Sequence, residues 1–317
     1  MAAASQPTVG ILPEEADLHT AEARVNKHKA DWRGWKFMWP FTVVFVFVFI
    51  IPIVYAVYIS FFKKQMIGGT RFVGVENYAR LLQDGQFWSS VGRVALFTCV
   101  QVPIMLFLSA AMALALDSMK LHGAKFFRIS TFLPYAVPAV VSTLVWGFVY
   151  GAKYGLVGSF NDFFGTNVDV LQPGVLLASI GNISTWEFTG YNMLIFYSSL
   201  STIPHSLYEA ASIDGAGKWR QFFSVTVPLI TPVIFYNLIT QLCEAFQEFN
   251  SAFIITKGGP LGSTTLISLL IYQNAFRTYE MGLASAMAWL LFIIICTLTV
   301  VSFASQKYWV YYSDDER

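Results

Sequence analysis

From Trp39 to Phe62 the chain runs for about 24 residues without a charged side chain, and five more predominantly apolar runs follow it. At ~1.5 Å per residue, a helix of ~20 residues crosses the ~30 Å hydrocarbon core of a bilayer, so each run is long enough to span. The runs are about 39–62, 94–116, 130–150, 174–203, 229–250 and 282–304. Across 317 residues, 56% are hydrophobic and only 12% charged. Such a chain is too apolar for a soluble globule and reads as a polytopic membrane protein.

The polar segments set the orientation. Residues 1–38 mix acids and bases without an apolar face and read as a polar, partly disordered cytoplasmic tail. They do not read as a signal peptide, because the following apolar run exceeds a secretory h-region and no small-x-small cleavage site follows it. Five Lys or Arg precede the first run, and Lys120, Lys125 and Arg128 follow the second, which places these segments inside. Lys63 and Lys64 weaken that bias, but the even number of runs agrees with it. The sequence therefore predicts an all-α integral membrane fold of six spans, with a short polar tail at 305–317 and both termini cytoplasmic. Segments 63–92, 151–173 and 251–281 are then outer connections, the first with an amphipathic piece at the interface. Pro134 and Pro138 near the start of the third span are tolerable where neighbouring helices satisfy the freed carbonyls.

Several function classes are excluded. A net charge of +1 with no dense basic run leaves no nucleic-acid surface. Cys99, Cys243 and Cys296 lie in apolar runs without metal or disulfide spacing, and His19, His28, His122 and His205 are scattered. Gly215-Ala216-Gly217-Lys218 hints at a phosphate loop, but Ser212 and Trp219 stand where that loop needs Gly and Ser or Thr. No nucleophilic set can be assembled, so no catalytic residue, metal or cofactor is expected.

One polar interruption, Ser206 to Pro232, is structured rather than random. Ser206 and Glu209 have capping-box spacing, which predicts a short helix from Leu207 that ends at Gly215 and Gly217. Asp214 could cap a second short helix through Lys218, Trp219, Phe222 and Phe223, and Pro228 suits the start of a membrane helix. Ala210 and Ala211 leave a shallow face that another protein could approach. Glu209-Ala210-Ala211, Asp214-Gly215-Ala216 and a hydrophobic pair ending in Pro228 resemble the E-A-A loop of the membrane subunits of binding-protein-dependent ABC importers. Phe72-Val73-Gly74 with Asn77-Tyr78, Leu133-Pro134-Tyr135 and Thr256-Lys257-Gly258-Gly259-Pro260 are similar to segments of the carbohydrate-uptake permeases in that family. The resemblance covers nearly all of 39–304, the expected permease domain. It implies a type I importer fold in the cytoplasmic membrane, with segment 204–228 fitting into a cleft of an ATPase. It also implies a second homologous permease chain, two cytoplasmic ATPase subunits that hold ATP and Mg, an extracytoplasmic solute-binding protein and a small sugar as cargo.

The intramembrane polar residues are the candidate pathway. Asn237, Gln241, Glu244 and Glu248 fall on one helical face, with Gln247 beside them. Trp186, Glu187, Tyr191 and Asn192 cluster on the fourth span. Polar groups at this depth cost several kcal/mol against lipid, so they face protein or a wet cavity. Aromatic platforms with amide and carboxylate acceptors suit a polyhydroxylated ligand; the same residues could instead join helices or contact a partner. The rival function is a self-sufficient proton-coupled carrier, with Glu187, Glu244 and Glu248 as a relay.

Overall fold

The computed structural model describes residues 34–65, 69–118, 123–259 and 262–312. Most of the polar tail at 1–38, with His19 and His28, lies outside them, as do Lys120, His122, Pro260 and residues 313–317. The chain divides within a helix into two units, Met1–Tyr55 and Ala56–Arg317.

In the first unit, α1 (Trp35–Phe45) passes through a wide π turn (Val46–Ile50) into α2 (Ile51–Ser60), which crosses the unit boundary. The π turn ends two residues before Pro52. A proline ring would clash with the carbonyl four residues back, and the wider turn relieves that clash.

The second unit begins with the end of α2 and an antiparallel hairpin, β1 (Phe62–Gln65) with β2 (Gly69–Phe72), in which Lys63 pairs with Arg71. Then come α3 (Glu76–Gln83) and α4 (Gly85–Ser118). The interfacial piece expected between Lys63 and Gly92 is thus this hairpin and α3, and the second span starts at Gly85, earlier than its apolar run. Buried Asn77 anchors the corner by donating to the Ser60 and Phe62 carbonyls at 2.7 and 3.0 Å.

The third span is not one helix. α5 (Ala124–Ala136) and α6 (Ala139–Val149) meet at 97° around Val137 and Pro138. Pro138 disfavours the α conformation for Val137, which sits at ψ 130°, and so the helix stops there. The following connection holds a short helix, α7 (Leu156–Phe164), closed by Gly165 at φ 63°. α8 (Leu176–Leu200) packs along α4 and crosses α5, where Gly190 lets the helices meet.

After α8 come α9 (His205–Ile213) and α10 (Lys218–Gln221), a π turn (Phe222–Thr226), and α11 (Val227–Phe246). Pro228 falls in the first turn of α11, as expected, although the helical run is continuous from Lys218 to Phe246, 29 residues in all. The same remedy appears as in the first unit, because the π turn ends two residues before that proline. Segment 251–281 is more than a surface connection. It holds a π turn (Ala252–Thr256) and α12 (Ile267–Phe276), which buries Ile267, Leu269 and Leu270.

The last helix, α13 (Met281–Trp309), opens with Gly282, where a Cβ would stand 1.8 Å from the Phe62 carbonyl oxygen. Close packing by small residues, expected there, is therefore with the hairpin strand β1. α13 runs five residues into the expected tail, and the Tyr311 N–H donates to Thr231 Oγ1 at 2.9 Å. Four described helices are long and apolar enough to cross a membrane, or five counting α5 and α6 as one bent span. α8, with 25 residues, has the length but carries the polar residues of the candidate pathway.

Candidate functional site

Two polar features stand out in the second unit, a cavity between α8 and α11 and the exposed helix pair that precedes α11.

The cavity has a volume of about 100 Å³ and includes Gln101, Glu187, Gln241, Glu244 and Glu248 in its wall. α11 presents Gln241 and Glu244 on one face, and Glu248 follows just past its end. Glu187 comes from α8, and Phe97, Phe188 and Phe249 supply apolar wall. Ala139 brings in the N-terminal end of α6. The break in the third span thus places the start of a helix, with the partial positive charge of its N-terminus, at the wall of a cavity that holds three carboxyl groups.

Glu248 is held by protein. Its Oε2 accepts from Ser184 Oγ at 3.3 Å and its Oε1 from the Ser251 N–H at 3.1 Å. Gln247 donates to the Cys243 carbonyl at 3.0 Å. Gln241 is 4% exposed and Gln101 7%, and among the described residues the amide of Gln101 has only the Met105 sulfur, 3.5 Å away, as a partner.

Four of the eight residues read as a pathway meet in this cavity and four do not. Trp186 stacks edge-on against Trp146 at 5.8 Å, and Tyr191 lies over Tyr135 at 4.6 Å and 21°. Asn192 donates to the Phe188 carbonyl at 2.9 Å. Asn237 is fully buried, and among the described residues neither polar atom of its side chain has a partner. Sequence reasoning missed Ser184, Gln101 and Ala139. Gln101 was visible as a polar residue inside the second span, whereas Ser184 and Ala139 carry no signal of their own.

In the loop before α11, the expected capping box does not form. Pro204 occupies the cap position and its carbonyl accepts from Leu207 N–H at 3.2 Å, so α9 starts at His205 and Ser206 falls inside it. Nor does Asp214 cap α10, which starts after Gly217 without a side-chain cap. The expected end does form. Gly215 takes φ 76°, and the Ala216 N–H reaches back to the Ala211 carbonyl at 2.9 Å, a left-handed closure that favours glycine. α9 is then tied to the next helix by Tyr208 with Thr226 at 2.9 Å and Gln221 with Ser212 at 2.8 Å. Glu209 and Ala210 face outward, and Ile213 and Trp219 are 86% and 78% exposed.

Apolar helices long enough to cross a membrane, a polar cavity and an exposed, ordered helix pair together fit a membrane transport subunit. The chain belongs to the family of binding-protein-dependent transport system inner membrane components, which residues 124–310 match. It is similar to the probable ABC transporter permease protein YesP of Bacillus subtilis, 33% identical over 89% of this chain and 93% of that protein. It is also similar to the sulfoquinovosyl glycerol transport system permease protein SmoG of Agrobacterium fabrum, 32% identical over 83% and 86%. In fold it matches a bacterial ABC transporter involved in the import of the acidic polysaccharide alginate, with a TM-score of 0.77 at 19% identity over 92% of this chain and 98% of that one. It is accordingly a multi-pass permease subunit of the cytoplasmic membrane and not an enzyme.

Proposed function

We propose that the chain moves a sugar or small oligosaccharide, paired with a second homologous permease and driven by two cytoplasmic ATPase subunits, with a solute-binding protein delivering cargo from outside. Both ends lie in the cytoplasm, with α8 and the bent α5 and α6 completing six spans, and 204–228 is the coupling loop. Glu209, Ala210, Ala211, Asp214, Gly215 and Ala216 form its docking face.

One observation carries this reading. The cavity of about 100 Å³ falls below the ~300–1,000 Å³ of small-molecule sites, yet its wall is rich in acceptors for hydroxyl groups. A cavity of that size suits one side of a pathway completed by a second chain. The rival carrier would need Glu248 free to release a proton into the pathway, whereas Glu248 is engaged by Ser184 and Ser251.

The deciding measurement is solute uptake into proteoliposomes that contain the full complex, with ATP enclosed and the proton gradient collapsed. Uptake that needs ATP and the binding protein, and survives the uncoupler, is expected. Accumulation by this chain alone on an imposed pH gradient would overturn the reading.

A further inference from the structure

Three carboxylates share the cavity, and the protein engages them unequally. Glu248 spends both oxygens on Ser184 and Ser251. Glu187 and Glu244 make no side-chain hydrogen bond among the described residues, and Glu244 is exposed to the cavity. Beside them Gln241 is 96% buried and lines the same cavity, and its amide likewise has no hydrogen bond to a described residue. A buried amide left unpaired is destabilising, so one that opens onto a cavity is satisfied by what enters it.

Among the described residues no lysine, arginine or histidine lines this space. The positive element there is the N-terminal end of α6 at Ala139, whose dipole is equivalent to about half an elementary charge, less than the charge of one ionised carboxylate. An anion entering this space therefore meets net negative charge and, among the described residues, no cationic side chain.

We infer that this cavity is a charge filter. Resting on the permease reading, the inference narrows the cargo to solutes that offer hydroxyl or ammonium donors and carry no carboxylate, sulfate or phosphate. Glu187 and Glu244 set that specificity by accepting donors from the solute, with Gln241 completing the contact. Glu248, held by Ser184 and Ser251, is a positioning residue. The filter separates this chain from the alginate importer that shares its fold and carries an acidic polysaccharide.

The filter can be tested without knowing the cargo. In the assembled transporter, with Cys99, Cys243 and Cys296 replaced by alanine, Gln241→Cys supplies one thiol facing the cavity. Its reaction rate is measured with a trimethylammonium-ethyl and a sulfonato-ethyl methanethiosulfonate, each normalised to the rate with free 2-mercaptoethanol. The expected result is a cationic rate about tenfold above the anionic one, falling toward about one when Glu187→Gln and Glu244→Gln are added. A normalised ratio at or below one in the parent overturns the filter. So does a thiol that reacts with neither reagent in any nucleotide state, because the cavity would then lie off the solute path. ATP hydrolysis by co-purified ATPase subunits, measured on the same vesicles, reports on the permease reading independently of the ratio.

Discussion

Ser184 on α8 donates to Glu248 at 3.3 Å, joining the two helices that wall the cavity at the level where α11 ends. The other Glu248 oxygen takes the Ser251 N–H at 3.1 Å and fixes the turn into the π segment Ala252–Thr256. One side chain therefore sets both the spacing of α8 from α11 and the path of the chain as it leaves the cavity.

Removing the donor should cost less than removing the acceptor. A hydrogen bond contributes about 0.5–1.5 kcal/mol net, so Ser184→Ala should destabilise by about that much and Glu248→Ala by more. Glu248→Gln keeps an acceptor and should fall between wild type and Glu248→Ala. Thermal unfolding of the detergent-purified complex would reveal the order. Equal melting of Glu248→Ala and wild type would mean that the tie contributes nothing.

Gly190 lies where α8 crosses α5. A Cβ there would stand 1.9 Å from the Thr131 carbonyl oxygen, a backbone atom that cannot swing aside. Gly190→Ala should therefore cost about 1–3 kcal/mol through forced separation of the helices. Gly174→Ala meets nothing within 4 Å and serves as the control. A melting temperature for Gly190→Ala no lower than that of Gly174→Ala would contradict the close crossing.

At the cytoplasmic face proposed for α9, Glu209→Lys and Gly215→Asp should detach the ATPase while leaving the membrane helices folded. Reversing a charge in a packed interface commonly costs 2–5 kcal/mol. The Gly215 change adds strain of about 1–2 kcal/mol from its left-handed backbone, with Asp tolerated better there than most residues. Co-purification of ATPase and the melting temperature of the permease are the paired measurements. Wild-type coupling in both variants would remove the docking role.

Asn237 gives a prediction of opposite sign. With both side-chain polar atoms buried and without a partner among the described residues, replacement by Leu removes a desolvation penalty of about 1–3 kcal/mol. Asn237→Leu should raise the melting temperature and, where the amide finds a partner in another state of the cycle, slow uptake. A lower melting temperature would show that the amide is satisfied in the folded protein.

The helices were legible because apolar length is a direct requirement of the bilayer, and the runs at Trp39 and Gly282 locate α1 with α2 and α13 within a few residues. The break at Val137 was not. Pro134 and Pro138 announce a weak point, but α5 accommodates Pro134 without stopping, and only Pro138 coincides with the 97° bend. The capping box failed for a local reason, since Pro204 starts the helix before Ser206 can act as its cap. In the cavity, spacing alone aligned Gln241, Glu244 and Glu248. It could not distinguish a carboxylate taken up by Ser184 and Ser251 from one left open, because that depends on the turn beyond α11 and on a serine of another helix.

The uninterrupted run from Lys218 to Phe246 has a mechanical consequence. At 29 residues it is about 44 Å long, and it links Trp219 at the exposed end to Gln241 in the cavity wall with no loop between them. A push on Trp219 therefore cannot dissipate in slack chain. The compliant place along the rod is the wide turn at Phe222–Thr226, where the backbone already departs from α register ahead of Pro228. That joint sits near the exposed end of the run, so a small tilt there, carried by the long helical arm beyond it, would become a larger sideways displacement of Gln241 and Glu244.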